Sequence, residues 1–199
     1  VNAKKWVVVG DHNQLQPVMK TVQSSDGSPP ADTSIFTFLQ NRYGTQRWLR
    51  QHYRSHTDII GFAQEEIYDD AIEVAPSCSR QTDWDVDSIP DTRAAAVADG
   101  PPVVFVDVEG QQKWLKRFGS PINGEEIDAV TEIVEAFIDG ANHPESELGV
   151  ITPYRAQRSL IGDEITNYGD VEVSTVDGFQ GRERSTIVFS TVDTESSGL

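Results

Sequence analysis

A single cysteine, Cys78, stands in 199 residues, so no internal disulfide and no cysteine-based metal cluster can form. That fits a reducing compartment and excludes a zinc-finger reading. No apolar run approaches the roughly 20 residues that span a bilayer, and Val1-Asn2-Ala3-Lys4-Lys5 is followed only by a short run from Trp6 to Val9. Neither a membrane anchor nor a secretory signal is read here, and a cytoplasmic location is expected. Positive charge is scarce: 16 Lys and Arg face 32 Asp and Glu, for a net charge of −16. His12, His52, His56 and His143 show no metal-ligand spacing with carboxylates and are read as surface or loop histidines.

What is present is an ordinary globular composition, 37% hydrophobic and 24% charged, which excludes global disorder. The acidic excess alone argues against nucleic acid, whose phosphates recruit cations. The cations are clustered, however. Arg42, Arg47, Arg50 and Arg54 form one group, and Arg155, Arg158, Arg182 and Arg184 another. An acidic surface with few lysines and local arginine clusters has the look of a high-salt cytoplasm, where screening tolerates self-repulsion. Such a composition reports solvent and leaves function open.

The apolar pattern predicts strands alternating with helices. Lys4 to Val9 reads as a buried strand ending at Gly10, and residues 21–34 as a turn-rich, mobile stretch. Ser34 is an N-cap for a short helix carrying Ile35, Phe36, Phe38 and Leu39. Arg47 to Arg54 reads as a strand leading into a helix started by Ser55, and residues 76–102 as a loop or insertion. Val103 to Val108 is a continuous apolar strand. The helix after it opens on a capping box, Asn123 with Glu126, and its stripe of Ile127, Val130, Val134, Phe137 and Ile138 stops at Gly140. Leu148 to Ile151, Val171 to Thr175 and Thr186 to Val192 are further strands, with a helix from Ala156 to Tyr168. Val- and Ile-rich strands separated by helices imply an α/β fold whose parallel sheet is covered on both faces.

Ligands of such sheets bind beyond the carboxyl ends of the strands. Four strand ends carry unusual residues: Gly10-Asp11-His12-Asn13-Gln14-Leu15-Gln16-Pro17, Gln51-His52-Tyr53-Arg54-Ser55-His56, Thr152-Pro153-Tyr154-Arg155-Ala156-Gln157, and Ser174-Thr175-Val176-Asp177-Gly178-Phe179-Gln180-Gly181-Arg182-Glu183. On chemistry alone, Gln14 offers an amide able to contact a phosphate oxygen and an attacking water at once, or simply a loop amide serving the backbone. Tyr53 offers a ring on which a base can stack, and Arg54 a fork for a terminal phosphate; a core-capping tyrosine and a surface ion pair are the plainer readings. Thr152 and Arg155 flank a helix N-terminus suited to an anion, although Thr152 would serve equally as a cap. Thr175 and Asp177 repeat that geometry. Gly181 permits close backbone approach, and Glu183 can accept hydrogen bonds from ribose hydroxyls.

In order and spacing the four segments resemble motifs of superfamily 1 nucleic-acid helicases, most closely the 5′-to-3′ branch that contains the nonsense-mediated-decay helicase. The likeness spans nearly the whole chain except residues 76–102 and 110–120. It implies a RecA-like fold of the P-loop NTPase type. Residues 1–45 would be the C-terminal remnant of a first RecA-like domain and 46–199 a second one. It implies ATP and Mg²⁺ as cofactors, with Gln14 and Arg54 catalytic and Tyr53, Gly181 and Glu183 on the nucleotide. Thr152, Tyr154, Arg155, Thr175 and Asp177 would face single-stranded or duplex nucleic acid, with DNA expected over RNA although backbone contacts and stacking serve both.

The family's phosphate-binding G-x-x-x-x-G-K-[ST] loop has no counterpart, since no Gly-Lys pair occurs in the sequence. The magnesium-holding acidic motif and the sixth motif are also missing, and are expected upstream of Val1 and shortly after Leu199. An upstream helicase domain of the same chain is therefore an expected partner, and the 199 residues alone are expected to be inactive. The strand at Val7 to Val9, lacking its own sheet, is expected to pair with an added edge or with a second copy. A non-catalytic docking domain and the motor part of a helicase–nuclease are the alternative functions.

Overall fold

The computed structural model describes residues 4, 7–15, 34–44, 47–79, 97 and 100–194. The chain gathers into two compact units, residues 1–79 and 80–199.

In the first unit, α1 (Ile35–Tyr43) begins where expected. Ser34 holds an extended backbone, and its Oγ accepts from the Thr37 N–H at 3.1 Å, satisfying a donor that the first turn leaves without a partner. A two-residue strand β1 (Gln51–His52) pairs in parallel with β2 (Glu73–Val74), and α2 (Thr57–Glu66) runs between them. The expected strand over Arg47–Arg54 is thus reduced to two residues. The helix cap also differs from expectation: His56, not Ser55, is the cap, its Nδ1 accepting from the Asp58 N–H at 3.2 Å. The strand expected over Lys4–Val9 is not formed in its described part. Residues 7–10 make no ladder, and Val7 and Val9 are 80% and 79% exposed. A strand needs a neighbour to take its N–H and C=O groups, and no described strand lies beside this one. The turn-rich stretch predicted over 21–34 lies outside the described residues up to position 33, as does most of 76–102, of which Pro76–Ser79 forms a 3₁₀ turn.

The second unit is built on three parallel strands in the order β6-β5-β7: β5 is Leu148–Thr152, β6 Glu172–Thr175 and β7 Thr186–Phe189. Central β5 is almost wholly buried, which is why it reads as a continuous apolar run. Two helices supply the rest of the core, α3 (Gly124–Glu135) and α4 (Arg155–Glu164). Ile127, Val130, Ile133, Val134 and Phe137 of the α3 segment pack with Leu148 and Val150 of β5 and Ile161 of α4 in one buried cluster. A π turn, Ala136–Gly140, closes α3. A four-residue helix α5 (Val176–Phe179) follows β6 directly. The predicted helix to Tyr168 stops at Glu164, and the predicted last strand stops at Phe189.

Two elements differ in kind from the sequence reading. Val103–Val108 forms no strand: Val103 and Phe105 are exposed and nothing among the described residues pairs with them. Residues 112–123, for which no element was expected, form an antiparallel hairpin, β3 (Gln112–Leu115) with β4 (Ser120–Asn123), in the register Gln112↔Asn123 to Leu115↔Ser120. Gly119 at φ +58° supplies the left-handed residue that closes its turn. The mixed α/β architecture with parallel strands is the RecA-like class. Among the described residues no helix is long and apolar enough to cross a membrane.

Candidate nucleotide and nucleic-acid sites

The expected site residues divide between the units: Gln14, Tyr53 and Arg54 lie in the first, and the other seven in the second.

In the first unit, Asp11 organises the loop that carries Gln14. Its Oδ1 accepts from the Asn13 N–H at 2.9 Å, and its Oδ2 from the Gln14 side-chain amide at 3.0 Å and the Tyr68 hydroxyl at 2.6 Å. The Asn13 side chain donates to the Ile67 carbonyl at 3.2 Å. The loop is therefore tied to the end of α2, the helix whose start follows Tyr53 and Arg54. Burial raises the Asp11 pKa, but the bonds from Tyr68, Asn13 and Gln14, with the nearby His12, outweigh it and hold the carboxyl below its usual range. Tyr68 is pushed up to about 12, by burial first and then by its bond to Asp11. At neutral pH the pair is a carboxylate and a neutral phenol, which is the arrangement the hydrogen bond needs.

Tyr53 and Arg54 lie on a turn closed by His52, whose Nε2 accepts from the Ser55 N–H at 2.7 Å. The turn directs both side chains outward. Tyr53 is 67% exposed, with its hydroxyl donating to the Gln51 side chain, and Arg54 is also exposed. Burial, and then the charge of Arg54, lower the His52 pKa. Its neutral form is the one that can accept the Ser55 hydrogen bond.

In the second unit the parallel register places Thr152 directly opposite Thr175 at the carboxyl ends of β5 and β6. Each starts a turn. The Thr152 Oγ1, fully buried, accepts from the Tyr154 N–H at 3.5 Å, and the Thr175 Oγ1 caps α5 by accepting from the Gly178 N–H at 3.3 Å. Thr152 therefore shapes the turn, while exposed Arg155 at the start of α4 and exposed Asp177 in α5 present their side chains outward. The Tyr154 hydroxyl donates to the Asp193 carboxylate at 3.0 Å, and that bond, followed by burial, raises its pKa. Gly181, at φ +84° and with open space where a Cβ would sit, and exposed Glu183 follow α5. Beside them Glu172 accepts from both Arg182 and Arg184, the latter at 2.7 Å, which ties the segment to β6. Two of the arginines read as a cluster in the sequence are thus engaged with a carboxylate.

A buried hydrogen-bond network, centred on Gln157 and Glu126, holds these strand ends together. Gln157, fully buried, accepts the Asn123 N–H at 3.0 Å and donates to the Asn123 carbonyl at 3.1 Å and the Ser190 Oγ at 3.0 Å. Glu126 accepts from Asn123 Nδ2 at 3.1 Å, from the Ser190 hydroxyl at 2.6 Å and from the Val192 N–H at 3.0 Å. Val192 is fully buried at φ +68°, a conformation that costs a β-branched residue energy and that this bond helps to hold. The signal was available in part: Gln157 closes the Thr-Pro-Tyr-x-Ala-Gln segment, and the capping box pairs Asn123 with Glu126. Among the described residues no group of three His, Cys, Asp or Glu side chains gathers to hold a metal.

Comparison with known proteins shows the family of the chain. Residues 31–198 match the family model described as an AAA domain. The chain is 30% identical over its full length to a regulator of nonsense transcripts 1 homolog of Neurospora crassa, covering 18% of that protein. It is 32% identical over its full length to an uncharacterized ATP-dependent helicase of Methanocaldococcus jannaschii, covering 29%. It is 30% identical, over 94% of its length, to the DNA polymerase alpha-associated DNA helicase A of Saccharomyces cerevisiae, again covering 29%. The chain thus spans less than a third of each of these relatives.

Proposed function

The chain belongs to the AAA domain family, among the superfamily 1 helicases, and on that premise we propose that it is the C-terminal motor portion of an ATP-dependent helicase that moves along single-stranded nucleic acid and unwinds duplexes. The observation that carries the reading is the Thr152↔Thr175 register: two strand ends side by side, each followed by a turn and a helix start. Backbone N–H groups at such turns, with Arg155 beside them, suit successive phosphates of one strand, with Tyr154 available to a base. Thr152 contributes by holding its turn, and Thr175 and Asp177 by setting and flanking the second.

Bound ATP with its magnesium supplies a phosphoryl transfer whose free energy drives the cycle. Tyr53, with an exposed ring, fits the adenine. Arg54, exposed on the same turn, fits the γ-phosphate and the charge that develops there. Gln14 fits a sensing role because its amide is held by Asp11, so a change at the phosphate is felt through Asp11 and Tyr68 at the end of α2. Gly181 and Glu183 would approach the ribose. Residues 1–45 are then the end of a first RecA-like domain and 46–199 a second, with the phosphate loop and magnesium ligands supplied upstream and the 199 residues alone unable to hydrolyse ATP. DNA is the favoured strand, the cytoplasm the location and a high-salt cell the origin.

The test is kinetic, in the longer protein that carries this chain. Arg54→Ala lowers the ATP hydrolysis rate on the order of 10³-fold with little change in ATP affinity, because the guanidinium acts chiefly as charge develops. Tyr53→Ala does the opposite, raising KM with kcat nearly kept, because stacking serves ground and transition states alike. A wild-type kcat in Arg54→Ala, or steady-state hydrolysis by the 199-residue chain alone, overturns this assignment.

A further inference from the structure

The β3–β4 hairpin carries a combination that the strand-end site does not use. Between Glu109 and Glu125 there is no acidic residue, while Lys113, Lys116 and Arg117 fall close together. In a chain with twice as many acids as bases, this hairpin is locally cationic. Trp114, 66% exposed, and the partly exposed Phe118 are interleaved with these cations, and the Arg117 guanidinium lies 5.4 Å from the centre of the Phe118 ring. Large aromatic rings left in water beside cations match a surface that holds bases by their faces and phosphates by their charge.

The hairpin is also continuous with the strand-end site. Side chains two apart on a strand share a face, so Gln112 and Trp114 lie on the same side of β3. Gln112 donates to the Asp193 Oδ1 at 3.0 Å, and that same oxygen accepts from the Tyr154 hydroxyl at 3.0 Å. The Trp114 ring therefore stands one strand repeat, roughly 7 Å, beyond the residue bonded to the carboxylate that Tyr154 also contacts. Lys116 and Arg117 extend the line into the hairpin turn.

We propose that this hairpin is a second contact for the strand of nucleic acid at Tyr154 and Arg155, with Trp114 stacking on a base and Lys116 and Arg117 holding phosphates. The inference rests on the nucleic-acid reading of the strand ends and extends it by one element. An acidic protein segment would satisfy the cations but would leave the exposed indole without a flat partner, which favours a single-stranded nucleic acid as occupant.

The experiment is anisotropy titration of the 199-residue chain with fluorescein-labelled oligothymidylate at several salt concentrations, with a poly-glutamate peptide as competitor. Trp114→Ala weakens binding by about ten-fold or more, and Trp114→Phe recovers most of the loss. The double variant Lys116→Gln/Arg117→Gln flattens the plot of log affinity against log salt by about 1.4, two cations at about 0.7 each. All three positions are at the surface, and unchanged melting temperatures show that the fold is kept. Wild-type binding in the hairpin variants together with a loss in Arg155→Gln overturns the hairpin and leaves the strand-end reading standing. The reverse pattern keeps binding at the hairpin but removes the strand-end contact, and with it the claim that one strand runs through both. Absence of binding by the wild-type chain defeats both, and competition by poly-glutamate at equal charge assigns the hairpin to an acidic protein segment instead.

Discussion

At the scale of single residues, the histidines show how a side chain with an unremarkable sequence context acquires a role from geometry. The sequence reading gives neither His52 nor His143 a role of its own. Yet His52 closes the turn that presents Tyr53 and Arg54, and buried His143 joins the Pro144 carbonyl at 2.8 Å to the Thr186 hydroxyl at 3.0 Å at the start of β7. Burial is the leading cause that lowers both pKa values, with Arg54 adding to it at His52. The ordinary value of 6.5 applies once the chain unfolds. A depressed folded pKa means that the unfolded state takes up protons first as the pH falls. The stabilisation from these neutral imidazoles is therefore complete above about pH 6.5 and drains away as the pH falls through their folded values. The melting temperature should be level just above neutrality and decline below about pH 6.5, with a shallower decline in His143→Gln. An equal decline in that variant would place the acid sensitivity elsewhere. The cap residues were easier to foresee, because Ser34 and Asn123 act on N–H groups three positions away; His56 took over from Ser55 because its ring nitrogen reaches the first turn as well.

At the scale of elements, legibility depended on whether an element carries its own cause. Strands β5, β6 and β7 were readable from their Val and Ile content, and they formed because each finds a neighbour in this chain. Val103–Val108 is as apolar as any of them, and so is the run at Val7–Val9. Neither makes a ladder, since a strand is half defined by a partner that composition does not reveal. The hairpin was invisible for the opposite reason: Gln112–Asn123 has neither a clean alternation nor an Asn-Gly turn, and its pairing shows only once the backbone is folded. The strand ends were legible as motifs, whereas the network beneath them was not. Gln157 is the clearest case, a buried amide that satisfies both backbone groups of Asn123 and the Ser190 hydroxyl. Gln157→Leu keeps volume but strands the two Asn123 backbone groups in the interior, at roughly 1–3 kcal/mol for each left without water or a partner, while the Ser190 hydroxyl keeps its bond to Glu126. The expected result is a loss of about 2 kcal/mol or more in chemical denaturation. A variant within about 0.5 kcal/mol of wild type would mean that the strand ends do not depend on this amide.

At the scale of the whole molecule the governing quantity is charge. With 32 acids against 16 bases, the carboxylates outnumber the cations two to one, so repulsion among them is expected to exceed the attraction that opposes it. Glu172, whose side chain is only 12% exposed, takes both Arg182 and Arg184, so two of the cations are committed to a single carboxylate. Added salt screens repulsion and attraction alike, so its net effect follows the larger sum, and the fold should gain stability as KCl is raised. Magnitude separates a generally acidic protein from one suited to a high-salt cell. The screening length has already fallen from about 10 Å at 0.1 M to about 3 Å at 1 M, so simple screening is nearly spent by then. A melting temperature that rises to a plateau below about 1 M KCl is what screening alone predicts. A rise that continues at higher salt is expected if the acidic surface is matched to concentrated salt, as its scarcity of lysine suggests. Thermal melts from 0.1 to 3 M KCl, repeated with an uncharged osmolyte of equal water activity, isolate the ionic part. A flat or falling curve would show that carboxylate repulsion does not limit this fold, and the composition would then carry no information about the cell it serves.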